Sequence, residues 1–183
     1  MEDELQIVDP PLEGLSLLLH GEIDDENTAD LLPALLASRE TLSKDSIINI
    51  YISTPGGCAY NTFAIYDTIR IMIEEGYDIR THALGRVMSG GVLLLCAGTK
   101  GSRTISKHTR VMIHSIAGEN IGTVKSLESD MSEIKSIQKQ FVDALVAESL
   151  MTERQLKTLM NKNVNVYLSA QEAVKFGIAD III

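Results

Sequence analysis

An α/β fold with parallel strands and helical crossovers is predicted by three features of the chain. Short apolar runs of strand length alternate with longer segments whose apolar residues recur at helical spacing. Glycine and proline signals punctuate that alternation at Gly21, Pro55-Gly56-Gly57, Gly76, Gly85 and Gly98. The 183 residues contain no repeat, low-complexity tract or Pro/Gly/Ser-rich linker, so a single domain over 1–183 is expected.

Residues 1–13 are acidic and carry Pro10-Pro11, which reads as an extended N-terminal arm. A mostly apolar strand follows at 15–19, closed by His20-Gly21. Asp24, Asp25, Asn27 and Asp30 then offer helix N-caps before a leucine-rich segment ending near Leu42. Pro33 is best accommodated if Asp30 is the cap, because proline is tolerated in a first turn and costly further in. A second buried strand, 47–53, ends at the turn Thr54-Pro55-Gly56-Gly57. The helix predicted over 60–75 sets Ile65, Ile69, Met72 and Ile73 on one stripe and stops at Gly76. The spacing predicts a strand at 78–84, a short buried helix at 89–97, and a strand at 110–114. The longest helix, 123–150, aligns Val124, Leu127, Met131, Ile134, Phe141 and Leu145 on one face. That face suits packing on the chain's own core and a subunit interface equally. Thr152 caps a further helix through Glu153, and the chain closes with a strand at 164–167, a helix at 169–176 and a strand at 178–183.

Composition narrows the function. A net charge of −9, 4% aromatic residues and no tryptophan argue against a surface that tracks phosphates or stacks bases, so no nucleic-acid partner is expected. Acidic residues stand where a secretory signal would carry bases. The longest apolar run, Val92-Leu93-Leu94-Leu95-Cys96-Ala97, is far short of the roughly 20 residues needed to cross a bilayer. A cytoplasmic protein with no membrane partner is the expectation. Cys58 and Cys96 could pair in principle. With no Cys-x-x-Cys and no clustered His/Cys pattern, neither a metal site nor a cofactor is expected.

Ser89 stands where a strand gives way to a buried helix, with Gly90 and Gly91 after it. A side chain there is presented at the strand's carboxyl edge beside the positive helix end, a setting that suits an acyl-transfer nucleophile. It is not a Gly-x-Ser-x-Gly elbow, since position 87 is Val. A plain N-cap serine fits the local pattern too. Of the four histidines, His20, His82, His108 and His114, the last ends a predicted strand, where α/β sites gather, although His20 has a similar place. Gly56-Gly57 after a buried strand reads as a source of oxyanion N–H groups or as a tight turn. Pattern alone leaves these alternatives open.

Four ordered stretches go further: Tyr51-Ile-Ser-Thr-Pro-Gly-Gly57, Gly85-Arg-Val-Met-Ser-Gly-Gly91, Arg110-Val-Met-Ile-His114 and Tyr167-Leu-Ser-Ala-Gln-Glu-Ala173. With Ala64-Ile-Tyr-Asp-Thr68 and Ala97-Gly-Thr-Lys-Gly101, they resemble the proteolytic subunit of ATP-dependent Clp protease, the ClpP family, from about residue 17 onward. The resemblance implies a ClpP/crotonase-like fold of repeated strand–strand–helix units with a protruding handle helix. It implies a serine endopeptidase with Ser89 as nucleophile, His114 as base, and an oxyanion hole at Gly57 and Gly90. Ser115, Ile116, Ala117 and Gly118 would hold substrate in an extended form. Stacked seven-membered rings, unfolded polypeptide substrates and a Clp-type ATPase, or a mixed ring with another ClpP chain, are the implied partners.

Three departures bear on that expectation. Where the family has a triad Asp, this chain has Asn165, which can accept the His114 N–H but cannot neutralise an imidazolium. Gly90 stands where the family often has Met, and the N-terminal arm is short for docking an ATPase. Three other readings stay open: a crotonase-type acyl-CoA enzyme, a catalytically weak or inactive subunit of a mixed ring, and a phage-type maturation protease.

Overall fold

A computed structural model describes residues 14–160 and 164–183 of the chain; the expected arm over 1–13 lies outside them. The element order begins β1 (Gly14–His20), α1 (Asp25–Thr41), β2 (Ile47–Thr54), α2 (Ala59–Glu74), β3 (Asp78–Met88) and α3 (Gly90–Ala97). It continues with β4 (Thr104–Ile105), β5 (Arg110–Ile113), α4 (Val124–Glu148), α5 (Glu153–Met160), β6 (Val166–Leu168), α6 (Ala170–Lys175) and β7 (Ile181–Ile182). The strands form one seven-stranded sheet ordered β1-β2-β3-β4-β7, with β5 joined to β3 and β6 joined to β5. All pairings are parallel except β5 with β6. The predicted α/β class is thus the observed one, with a single antiparallel join.

Alternation places the core. On β2, Ile48, Ile50 and Ile52 are fully buried, while Asn49, Tyr51 and Ser53 between them are half-buried. Helix α3 is buried at all eight positions, as expected of a helix apolar all round. Each of its leucines, Leu93, Leu94 and Leu95, stabilises the fold by roughly 2 kcal/mol.

Three expectations are corrected. Helix α1 is capped by Asp24, whose Oδ1 accepts from Asn27 N at 2.9 Å, and not by Asp30. Its buried stripe of Thr28, Leu31, Leu35 and Ser38 starts before Pro33. Burying that stripe outweighs the backbone bond lost at the exposed proline. Strand β3 does not stop at Leu84 but runs through Gly85 (φ 66) to Met88, with a bulge against β2. The bulge hands β3 from one neighbour to another: His82 and Ala83 pair with β4, and Arg86, Val87 and Met88 pair with β5. Finally, the stripe on α4 is divided. Ile137, Phe141, Val142 and Leu145 are buried against the core, whereas Val124, Leu127 and Met131 are exposed on the protruding first half. Among the described residues, no helix is long and apolar enough to cross a membrane.

Candidate active site

Ser89 is the first residue beyond β3 and the N-cap position of α3. Its backbone, at φ 53 and ψ −123, is the only non-glycine one with positive φ among the described residues. Such a conformation costs about 1–3 kcal/mol and persists only where the surroundings over-determine it. Here Ser89 N donates to Met112 O at 2.8 Å, extending the β3–β5 ladder one residue past the strand. An ordinary N-cap serine has extended backbone and bonds the helix amides with its hydroxyl. Ser89 does neither: its side chain makes no capping bond, and its Oγ lies 2.8 Å from His114 Nε2.

The histidine arrives by register. Met88 pairs with Met112 across parallel β3 and β5, so Ser89 and His114 emerge from the same carboxyl edge of adjacent strands. The other histidines are elsewhere. His20 and His108 are exposed. His82 is stacked on Tyr51, with Nδ1 2.8 Å from Thr104 Oγ1 and Nε2 3.0 Å from Asn49 Oδ1. Burial, aided by Arg80, holds the His82 pKa below its ordinary value.

The turn after β2 closes over the serine. A Cβ at Gly56 (φ 94) would sit 2.5 Å from Ser89 Cβ and 2.9 Å from Met88 O, so only glycine fits. Ile23 ties the turn down, donating its N–H to Gly56 O (2.9 Å) and accepting from Cys58 N (2.7 Å). Among the described residues, the N–H groups of Gly57 and Gly90 donate to no protein acceptor. Gly57, Ser89, Gly90 and His114 line one pocket of about 210 Å³. A nucleophilic oxygen, a base within reach and two free amides beside the positive end of α3 can perform acyl transfer.

The remaining expected residues are placed less closely. Ile116 and Ala117 line the same pocket. Ser115 Oγ donates to Met160 O at 2.7 Å, and the Ile116 N–H donates to Gln138 Oε1 at 3.2 Å. Gly118 packs against Ile134 of α4. Asn165 is exposed, one residue before β6. Continuing the Ile113–Val166 pairing by one residue sets it opposite His114, yet no hydrogen bond joins the two among the described residues.

Sequence reading missed Cys58, Ala59, Thr62, Phe63 and Phe141, which complete the pocket. Thr62 and Phe63 fall one turn along α2 from Cys58 and Ala59, a helical spacing that would have found them. Phe141 comes from the inner end of α4, and only the tertiary fold brings it here.

Comparison with known proteins identifies the family. The Clp protease family matches residues 2–183. The chain is 35% identical to ATP-dependent Clp protease proteolytic subunit 2 of Chlamydia trachomatis serovar D over 149 residues, 81% of this chain and 70% of that one. It is 30% identical over 167 residues to proteolytic subunit 4 of Rhodococcus jostii, and 32% identical over 168 residues to proteolytic subunit 1 of Prochlorococcus marinus. These two alignments each cover 91% of this chain and 83% of the relative. With a family match spanning its sheet, its handle helix and its Ser89–His114 pair, the chain belongs to the Clp protease family.

Proposed function

We propose that the chain is a serine endopeptidase subunit in which Ser89 attacks the scissile carbonyl of an extended polypeptide. The observation that carries this reading is the 2.8 Å contact between Ser89 Oγ and His114 Nε2 at a strained strand–helix junction. His114 takes the hydroxyl proton as the C–O bond forms, the amides of Gly57 and Gly90 receive the oxyanion, and His114 returns the proton to the leaving amine. Water then releases the acyl group by the same steps. Residues 115–118 would align substrate by backbone pairing, and Asn165 would orient the imidazole through its side-chain carbonyl.

The reading extends to assembly and delivery. The exposed stripe of Val124, Leu127 and Met131 on α4 supports an interface between copies of the chain, and stacked heptameric rings enclosing a chamber are carried over from the Clp protease family. The names of the relatives include ATP dependence, and we carry an ATPase partner supplying unfolded chains to this protein on that ground; a cytoplasmic setting is part of the same proposal. A second reading, a weakly active or inactive subunit of a mixed ring, is favoured by one observation: the exposed Asn165 makes no bond to His114.

A fluorophosphonate probe separates them. The expected result is a single adduct at Ser89, absent in Ser89→Ala and His114→Ala. Asn165→Asp is expected to raise peptide turnover about tenfold or more, since the reverse change in a trypsin-like enzyme costs about four orders of magnitude. An assembled protein that takes up no probe is the inactive subunit, and an Asn165→Asp rate equal to wild type at every pH removes Asn165 from the site.

A further inference from the structure

The N–H groups of Gly57 and Gly90 come from different elements, a β2–α2 turn and the first residue of α3, so something must hold the two at a common spacing. Two threonines contact both sides. Thr54, the last residue of β2 and fully buried, accepts the Gly56 N–H on its Oγ1 at 3.0 Å. Its Cγ2 lies 2.4 Å from the point a Cβ on Gly91 would take, too close for one to fit. Thr62, on α2 and 1% exposed, donates its Oγ1 proton to Cys58 O at 2.9 Å. Its Oγ1 lies 2.4 Å and its Cγ2 3.1 Å from the point a Cβ on Gly90 would take.

A threonine bonding the carbonyl four residues back in a helix is common and by itself means little. The arrangement here is different in kind, because each hydroxyl grips the 56–58 turn while the same side chain bears on a glycine of α3. Gly57 therefore lies between two gripped residues, with Ile23 on its far side. Building on the serine-peptidase reading, we infer that Thr54 and Thr62 are positioning residues that set the spacing of the Gly57 and Gly90 amides, and that Gly90 and Gly91 are glycines so that the threonines can approach. Neither threonine touches the reacting atoms. Their effect belongs to the transition state, where the oxyanion meets both donors, so it falls on kcat rather than KM.

The test uses the assembled full-length chain, a short fluorogenic peptide for kcat and KM, and the fluorophosphonate rate at Ser89. Gly91→Ala keeps every backbone donor but forces a methyl against Thr54 Cγ2. It is expected to lower kcat about 30-fold or more with KM within about twofold, since a misplacement near 1 Å costs roughly 100-fold. Adding Thr54→Ser removes that methyl while keeping the bond to Gly56, and is expected to restore kcat to within about threefold of Thr54→Ser alone. Thr62→Val keeps the volume and loses the bond to Cys58 O; about a tenfold fall in kcat is expected, with Thr62→Ser near wild type. Should Gly91→Ala fail to assemble, the Thr62 pair decides. A Gly91→Ala rate within twofold of wild type, no recovery in the double variant, or an unchanged Thr62→Val overturns the inference and leaves the peptidase reading intact. A wild-type protein that neither cleaves peptide nor takes the probe overturns the peptidase reading itself, and the inference with it.

Discussion

Ser89 and Cys58 show how much one position's surroundings decide. The same serine with extended backbone and a capping hydroxyl would be structural; at φ 53, with its Oγ facing His114, it is a candidate nucleophile. The two cysteines divide in the same way. Cys58 is exposed at the mouth of the pocket beside Gly57, whereas Cys96 is fully buried and its thiol is pushed up to about 12 by burial. Neither is paired. Iodoacetamide is expected to modify Cys58 alone, read by intact mass, and to slow peptide turnover in step with the adduct. Equal labelling of both thiols in the folded protein would contradict the burial of Cys96. At this scale the sequence made Ser89, His114 and Gly57 legible, because each sits at an abrupt change of pattern. Thr54 and Thr62 were not, because their partners are glycines on a different element.

At the scale of elements, the predicted and observed helices differ most at α1. The rule against interior proline favours a cap at Asp30, yet Thr28, Leu31 and Leu35 on one buried face override it. Pro33 is exposed within the helix, so Pro33→Ala restores a backbone bond at no packing loss. We expect a gain of about 2 kcal/mol by urea unfolding, the helix benefit of about 3 less the added freedom of the unfolded chain. No gain would mean that the helix had already relaxed around the ring. Strand β3 outruns its expected end at Gly85 for a related reason. A glycine with positive φ marks a strand end in local terms, and only the pairing with β5 reveals a bulge.

The molecule as a whole is tied together behind the site. Arg103, 4% exposed, donates Nη1 to Cys96 O at the end of α3 and to Glu148 O at the end of α4. Its Nε and Nη2 reach the two oxygens of Asp180, 2.8 and 2.6 Å away. Burial pushes the Asp180 carboxyl up, but its bonds from Arg103 and from the Gly101 amide win and hold it below its ordinary value. A lowered folded pKa means stabilisation that is present above the unfolded value, near 3.9, and lost as pH falls through the folded one. Asp180→Asn is therefore expected to cost about 3 kcal/mol at pH 7, where it strands a buried guanidinium, and progressively less below about pH 4. A gap between wild type and variant that is constant from pH 7 to pH 3 would refute the ion pair's role. The other feature at this scale is the exposed half of α4. Leu127→Glu with Met131→Glu is expected to yield smaller assemblies by sedimentation without loss of helix, because neither side chain serves the core. An unchanged assembly would place the interface elsewhere.

The chain's own residues determined the α/β class, the order of elements and the serine and histidine at strand ends, since periodicity and turn chemistry are local properties. They also placed the glycine stop of α2 at Gly76. Tertiary structure decided the rest. Parallel register brought His114 to Ser89, the bulge at Gly85 delivered Ser89 to β5, and packing of α4 divided one apolar stripe into a buried and an exposed half. The physical reason is that strand register, bulges and helix docking are settled by contacts between residues far apart in the chain, which no window along the sequence contains.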